Sequence, residues 1–98
     1  MEIGLLVRIE AKPEFADQVE TALRGARNLA QDERETVAWF AFRQSRTVFG
    51  VFDTFNDEHG RRQHLQGQIA AALGQIAQTM LASPAVISEI DLLGVKVP

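Results

Sequence analysis

Between Thr36 and Phe55 the chain reads TVAWFAFRQSRTVFGVFDTF, two stretches rich in β-branched and aromatic residues separated by a short polar break around Ser45. This composition predicts an antiparallel hairpin with strands Thr36 to Gln44 and Thr47 to Phe55. A sheet with one wet side alternates apolar and polar residues, whereas here large apolar residues fall at odd and even positions alike. Both faces of the hairpin must therefore be covered, one by helices and the other by something else. With Arg43 opposite Val48, one face carries Phe40, Phe42, Phe49, Val51 and Phe55. The other carries Val37, Trp39, Ala41, Val48 and Phe52. No Asn-Gly pair marks the turn to fix that register.

The flanking segments supply what the hairpin needs. Ile3 to Glu10 places Ile3, Leu5, Val7 and Ile9 on one pleat face and reads as a first strand. Pro13 suits the first turn of a helix, and Phe15, Val19, Ala22, Leu23, Ala26, Leu29 and Ala30 follow at three- and four-residue spacing until the polar run Gln31 to Glu35. After the hairpin, Asn56 is placed as an N-cap, with Asp57 and Glu58 in the first turn of a short helix and Arg61 and Arg62 near its end. Gly67 permits a bend. Ile69, Ala72, Leu73, Ile76 and Met80 then make a second stripe that Ser83-Pro84 stops, and Val86 to Val95 is the last strand. The order β-α-β-β-α-α-β predicts one α+β domain over residues 1–98: a ferredoxin-like split βαβ unit with a four-stranded antiparallel sheet and helices on one face.

Composition excludes several function classes. The formal charge is −3 with no basic run, which argues against nucleic acid as a partner. There is no cysteine, so disulfides, thiolate ligands and cysteine nucleophiles are ruled out together. No glycine-rich nucleotide fingerprint, phosphate loop or serine elbow occurs. His59 and His64 lie about 140° apart on a 3.6-residue helix, so one continuous helix cannot bring both to one metal. Neither a cofactor nor a metal is expected. The short apolar run at the N-terminus carries charges and no cleavage signal, and no window approaches bilayer length, so no membrane association and a cytoplasmic location are expected.

The stretch FGVFDTF followed by DEHGRRQHLQG, with a closing DLLGVKVP, resembles the antibiotic biosynthesis monooxygenase family in order and length across nearly the whole chain. The resemblance implies a homodimer in which two sheets meet face to face as a dimeric α+β barrel, which would cover the hairpin's second apolar face. It implies cofactor-independent oxidation of a small aromatic, phenolic or quinol substrate. It also places His64 at a position where the family commonly carries histidine. The haem-degrading branch of the superfamily differs: it uses an asparagine in strand one, a tryptophan ending strand three and a histidine in the later helix. This chain has no asparagine in strand one, Phe55 at the end of strand three and no histidine after His64. Nor does it carry the Gly-Cys and tyrosine that many quinol-oxidising members have near strand two.

A deprotonated phenol or hydroquinone can itself reduce dioxygen, so a protein need only exclude water, orient the ring and handle one proton. Histidine suits the proton, and His64 is the candidate catalytic residue, as general base or hydrogen-bond donor; the alternative is a surface or interface histidine. Trp39 and Phe52 are candidate substrate-binding walls, with space between Ala41 and Gly50 beside them; packing in the core or interface is the alternative. Arg43 is the candidate anion binder for a carboxylate or phenolate, against a solvated strand-end charge. Asp53, an acid between Phe52 and Phe55, needs a partner, with Arg61 and Arg62 the nearest cations in sequence. The competing functional class is a non-catalytic ligand-binding or stress-associated dimer of the same fold.

Overall fold

The computed structural model describes residues 1–98. The elements are β1 (Ile3–Glu10), a 3-10 turn (Pro13–Phe15) leading into α1 (Ala16–Gln31), β2 (Thr36–Arg43), β3 (Val48–Phe55), α2 (Glu58–Leu65), α3 (Gln68–Thr79) and β4 (Val86–Asp91). The strands form one antiparallel sheet in the order β2-β3-β1-β4. This is the ferredoxin-like arrangement, with β1 and β3 central and β2 and β4 at the edges.

Alternation decides what faces the helices. Leu5, Val7 and Ile9 of β1 stand beside Asp53, Val51 and Phe49 of β3, and all six are buried. Against them α1 lays Ala16, Val19, Leu23, Ala26 and Ala30, a stripe at helical spacing. Leu81, after α3, closes the same core. Each large apolar side chain buried here contributes on the order of 1.5–3 kcal/mol relative to exposure. No helix is long and apolar enough to cross a membrane.

The hairpin register differs by one residue from the sequence expectation. Gln44 and Ser45 both donate their N–H to the Val48 carbonyl, at 2.8 and 3.2 Å. That four-residue connection sets Arg43 opposite Phe49, Phe42 opposite Gly50, Ala41 opposite Val51 and Trp39 opposite Asp53. A one-residue slip exchanges faces. Trp39 and Ala41 therefore join Phe49, Val51, Asp53 and Phe55 toward the helices, while Phe40 and Phe42 join Phe52 on the opposite face. The expected gap between Ala41 and Gly50 does not exist, since the Phe42 ring covers Gly50 and leaves no room there for a Cβ.

The face away from the helices is apolar and uncovered in the single chain. Leu6, Phe40, Phe42 and Val86 are all exposed on it, Phe40 at 55%. Two further boundaries move. Asp57 rather than Asn56 caps α2, its side chain accepting from the Gly60 N–H at 3.0 Å. The last strand stops at Asp91 rather than Val95: its pairing with β1 ends at Asp91 opposite Ile3, followed only by a bond from the Leu92 N–H to the Glu2 carbonyl.

Candidate active site

Helix α2 turns Gly60, Arg61 and His64 inward. His64 lies in the last turn, near the negative end of the helix dipole, where a cation is favoured. Its ring reaches two carboxylates: Nδ1 is 2.6 Å from Glu33 Oε1, and Nε2 is 2.8 Å from Asp53 Oδ2. The first is a hydrogen bond. The second is a close ion pair without hydrogen-bond alignment, so both Asp53 oxygens lack a hydrogen-bonding partner. Phe55 backs the imidazole, ring centroids 5.3 Å apart.

Three separate stretches build this cluster. Asp53 stands in the helix-facing row of β3 and is fully buried, at 0% exposure. Glu33 follows the end of α1, where its own N–H bonds back to Ala30. Its Oε1 also accepts the Thr36 hydroxyl at 2.7 Å, while Oε2 is buried without a partner. Gly67, one turn beyond His64, permits the approach, since a Cβ there would lie 2.9 Å from Glu33 Oε2.

Burial by itself pushes the His64 imidazole toward its neutral form, but the Asp53 and Glu33 carboxylates outweigh it and raise its pKa above the ordinary histidine value. The imidazolium form, with both ring nitrogens as donors, fits two flanking acceptors. Two carboxylates against one imidazolium leave one excess negative charge in the cluster, and Glu33 Oε2 and both Asp53 oxygens have no hydrogen-bond partner.

Glu33 also faces a groove. Between α1 and the edge strand β2 runs a cleft of about 420 Å³, walled by Leu23, Trp39, Ala41 and Phe49 with arginines at its rim. It continues past Arg27 and Trp39 into a second cleft of about 490 Å³ that ends at Glu33 and Thr36. Glu33 and His64 together line a third, polar cleft of about 570 Å³ between the end of α1 and α2.

The sequence-selected residues fall in different places. Trp39 is beside Asp53, on the same face as the His64 cluster, and its indole N–H is buried without an acceptor. Arg43, at the far end of β2, stacks over Phe49 and pairs with Glu20 at 2.9 Å and Asp17 at 3.6 Å. Phe52 lies on the opposite face of the sheet from Trp39. The partner expected for Asp53 is corrected to His64. Arg61 instead binds Glu58, Glu89 at 2.6 Å and the Gly4 carbonyl at 3.3 Å, beyond the β1 end of the sheet's helix face. Glu33 was read as part of a polar run ending a helix, and its one sequence signal was the need of a buried acid and a buried histidine for further polar partners. No group of three or more histidines, aspartates and glutamates is arranged to hold a metal ion.

Fold and site define a class: a ferredoxin-like α+β domain, of the fold found in solved antibiotic biosynthesis monooxygenases, with an acid–histidine–acid cluster between sheet and helices. A solved antibiotic biosynthesis monooxygenase is similar with a TM-score of 0.80 over 94% of this chain and 99% of that one, at 15% identity. A Mycobacterium tuberculosis protein is similar with a TM-score of 0.84 over 99% and 100% of the two chains, at 10% identity. Those distances establish a shared fold. A protein of unknown function from Nitrosomonas europaea is 47% identical over 99% of this chain and 94% of that one, with a TM-score of 0.96, and this chain belongs to its family. No protein-family profile matches the sequence, and no curated protein matches it.

Proposed function

We propose that this protein is a homodimeric, cofactor-independent monooxygenase of small phenolic or quinol molecules. The observation that carries the reading is the Glu33–His64–Asp53 cluster, with its unpartnered carboxylate oxygens, at the end of a groove walled by Trp39 in a monooxygenase-type fold. A hydroquinone or catechol bound on Trp39 gives its hydroxyl proton to the Glu33 carboxylate. The resulting anion supplies the electrons to dioxygen; one oxygen atom enters the ring, the other leaves as water, and the product is a hydroxyquinone. His64 acts through Glu33: it holds Oε1 and offsets the charge of Asp53. It is thus a positioning residue, with Glu33 as the base. Phe52, with Phe40 and Leu6, belongs to the apolar face that a second copy covers.

Oxygen uptake on a panel of hydroquinones and catechols tests the proposal. Turnover above autoxidation that falls roughly 10²-fold in Glu33→Gln, with fold retained, is the expected result, since general-base assistance is worth about 10²–10⁴. Binding without uptake on the whole panel would instead identify a ligand-binding protein. Light scattering at micromolar concentration should give a dimer that Phe40→Asp dissociates.

A further inference from the structure

Three arginines, Arg24, Arg27 and Arg43, surround the first cleft, and one acid, Glu20, stands among them. Glu20 is shared: it pairs with Arg43 at 2.9 Å and with Arg24 at 3.4 Å, and the two guanidiniums lower its pKa, Arg43 first. Arg43 is further held by Asp17 and by the Ser45 and Arg46 carbonyls. Arg27 makes no ion pair or hydrogen bond with any residue of the chain, and it borders both halves of the groove together with Trp39.

A second observation points the same way. The Trp39 indole N–H is buried without an acceptor, a costly state unless a partner is supplied. An uncommitted guanidinium and an orphaned N–H therefore border the same groove, where the nearby acid Glu20 is already engaged. Both are donors, and what they lack is an acceptor with negative charge.

We propose that the middle of this groove is an anion subsite, built from Arg27 and Trp39, that selects aromatic carboxylic acids. The ring lies along the groove between α1 and β2, its carboxylate at Arg27, its hydroxyl toward Glu33. Arg27 and Glu33 both line the second cleft. A single- or double-ring hydroxy acid fits between two such long side chains. This substrate class rests on the oxygenase reading only for the fate of the hydroxyl; the carboxylate's place follows from the arginine and the tryptophan.

Titration calorimetry of the full chain with 3,4-dihydroxybenzoate and with its uncharged methyl ester separates the two claims. The acid should bind about tenfold more tightly than the ester, that preference should vanish in Arg27→Gln, and Arg27→Lys should keep part of it. Equal affinity for acid and ester, an unchanged preference in Arg27→Gln, or no binding of either compound would overturn the subsite. Oxygen uptake is read on the same samples. Acid preference without uptake upholds the subsite and defeats the oxygenase reading, whereas uptake that ignores both the carboxylate and Arg27 does the reverse.

Discussion

Three residues apart on α2, Arg61 and His64 are both buried and both held between two carboxylates, yet the two clusters have opposite characters. The partners of Arg61 are open to water, Glu58 at 52% and Glu89 at 68% exposure. Those of His64 are not, Glu33 at 18% and Asp53 at 0%. Arginine cannot give up its charge in a protein, so the first cluster fastens α2 to β1 and β4 and nothing more. Histidine can, and its acids are largely shielded from solvent, so the second cluster couples the fastening of α2 to a proton. One helix thus carries a fixed fastener and a titratable one on adjacent turns.

Deleting the cations should separate the clusters most strongly. His64→Ala leaves Asp53 and Glu33 facing each other in a dry interior, and breaking a buried pair in this way costs about 3–5 kcal/mol. Arg61→Met leaves exposed glutamates that water can solvate, so the loss should be nearer 1–2 kcal/mol, the range of an ordinary buried polar deletion. Urea melts of the two variants check this, and equal losses would erase the distinction.

The pH dependence sharpens the contrast with a smaller effect. Because the folded pKa of His64 is raised, its contribution is fully present below the unfolded value near 6.5 and is lost as pH rises through the folded value. Stability of the natural chain relative to His64→Gln should therefore shrink as pH is raised from about 6 through the alkaline range. Arg61→Met should show no such slope against the natural chain over the same span. The smallest effect belongs to the exposed Arg24–Glu20 pair, where Arg24→Gln should change stability by less than about 1 kcal/mol and should respond to salt.

The same contrast shows what was legible in the chain. Element order, helix stripes and the four strands followed from periodicity and from Pro and Gly positions, because burial alone dictates those. The two apolar faces of the hairpin were also visible, but which residue faced which way was not. A two-sided apolar strand gives no pattern to fix its register, and the Gln44–Thr47 connection decided it through bonds to the Val48 carbonyl. That single residue of slip moved Trp39 toward the helices and left Phe52 on the other face. The sequence singles out His64 and shows that Asp53 needs a polar partner. Joining them required knowing that α2 crosses β3 at Asp53, and Arg61, equally close in sequence, is turned instead toward Gly4 and Glu89. Glu33 was hidden because surface polar runs look alike, and only the packing of Gly67 against its carboxylate marks it.

The central claim is that His64 carries two protons between two buried acids, and nitrogen-15 NMR of the imidazole rings measures this directly. The chain has two histidines, and a His59→Asn variant assigns the signals. At about pH 6.5, where an ordinary histidine is half protonated, the imidazolium form should predominate at His64, with both nitrogens shifted toward protonated values and N–H couplings at Nδ1 and Nε2. A neutral ring with one bare nitrogen at that pH would contradict the account, because one carboxylate would then have to hold the missing proton or face a lone pair.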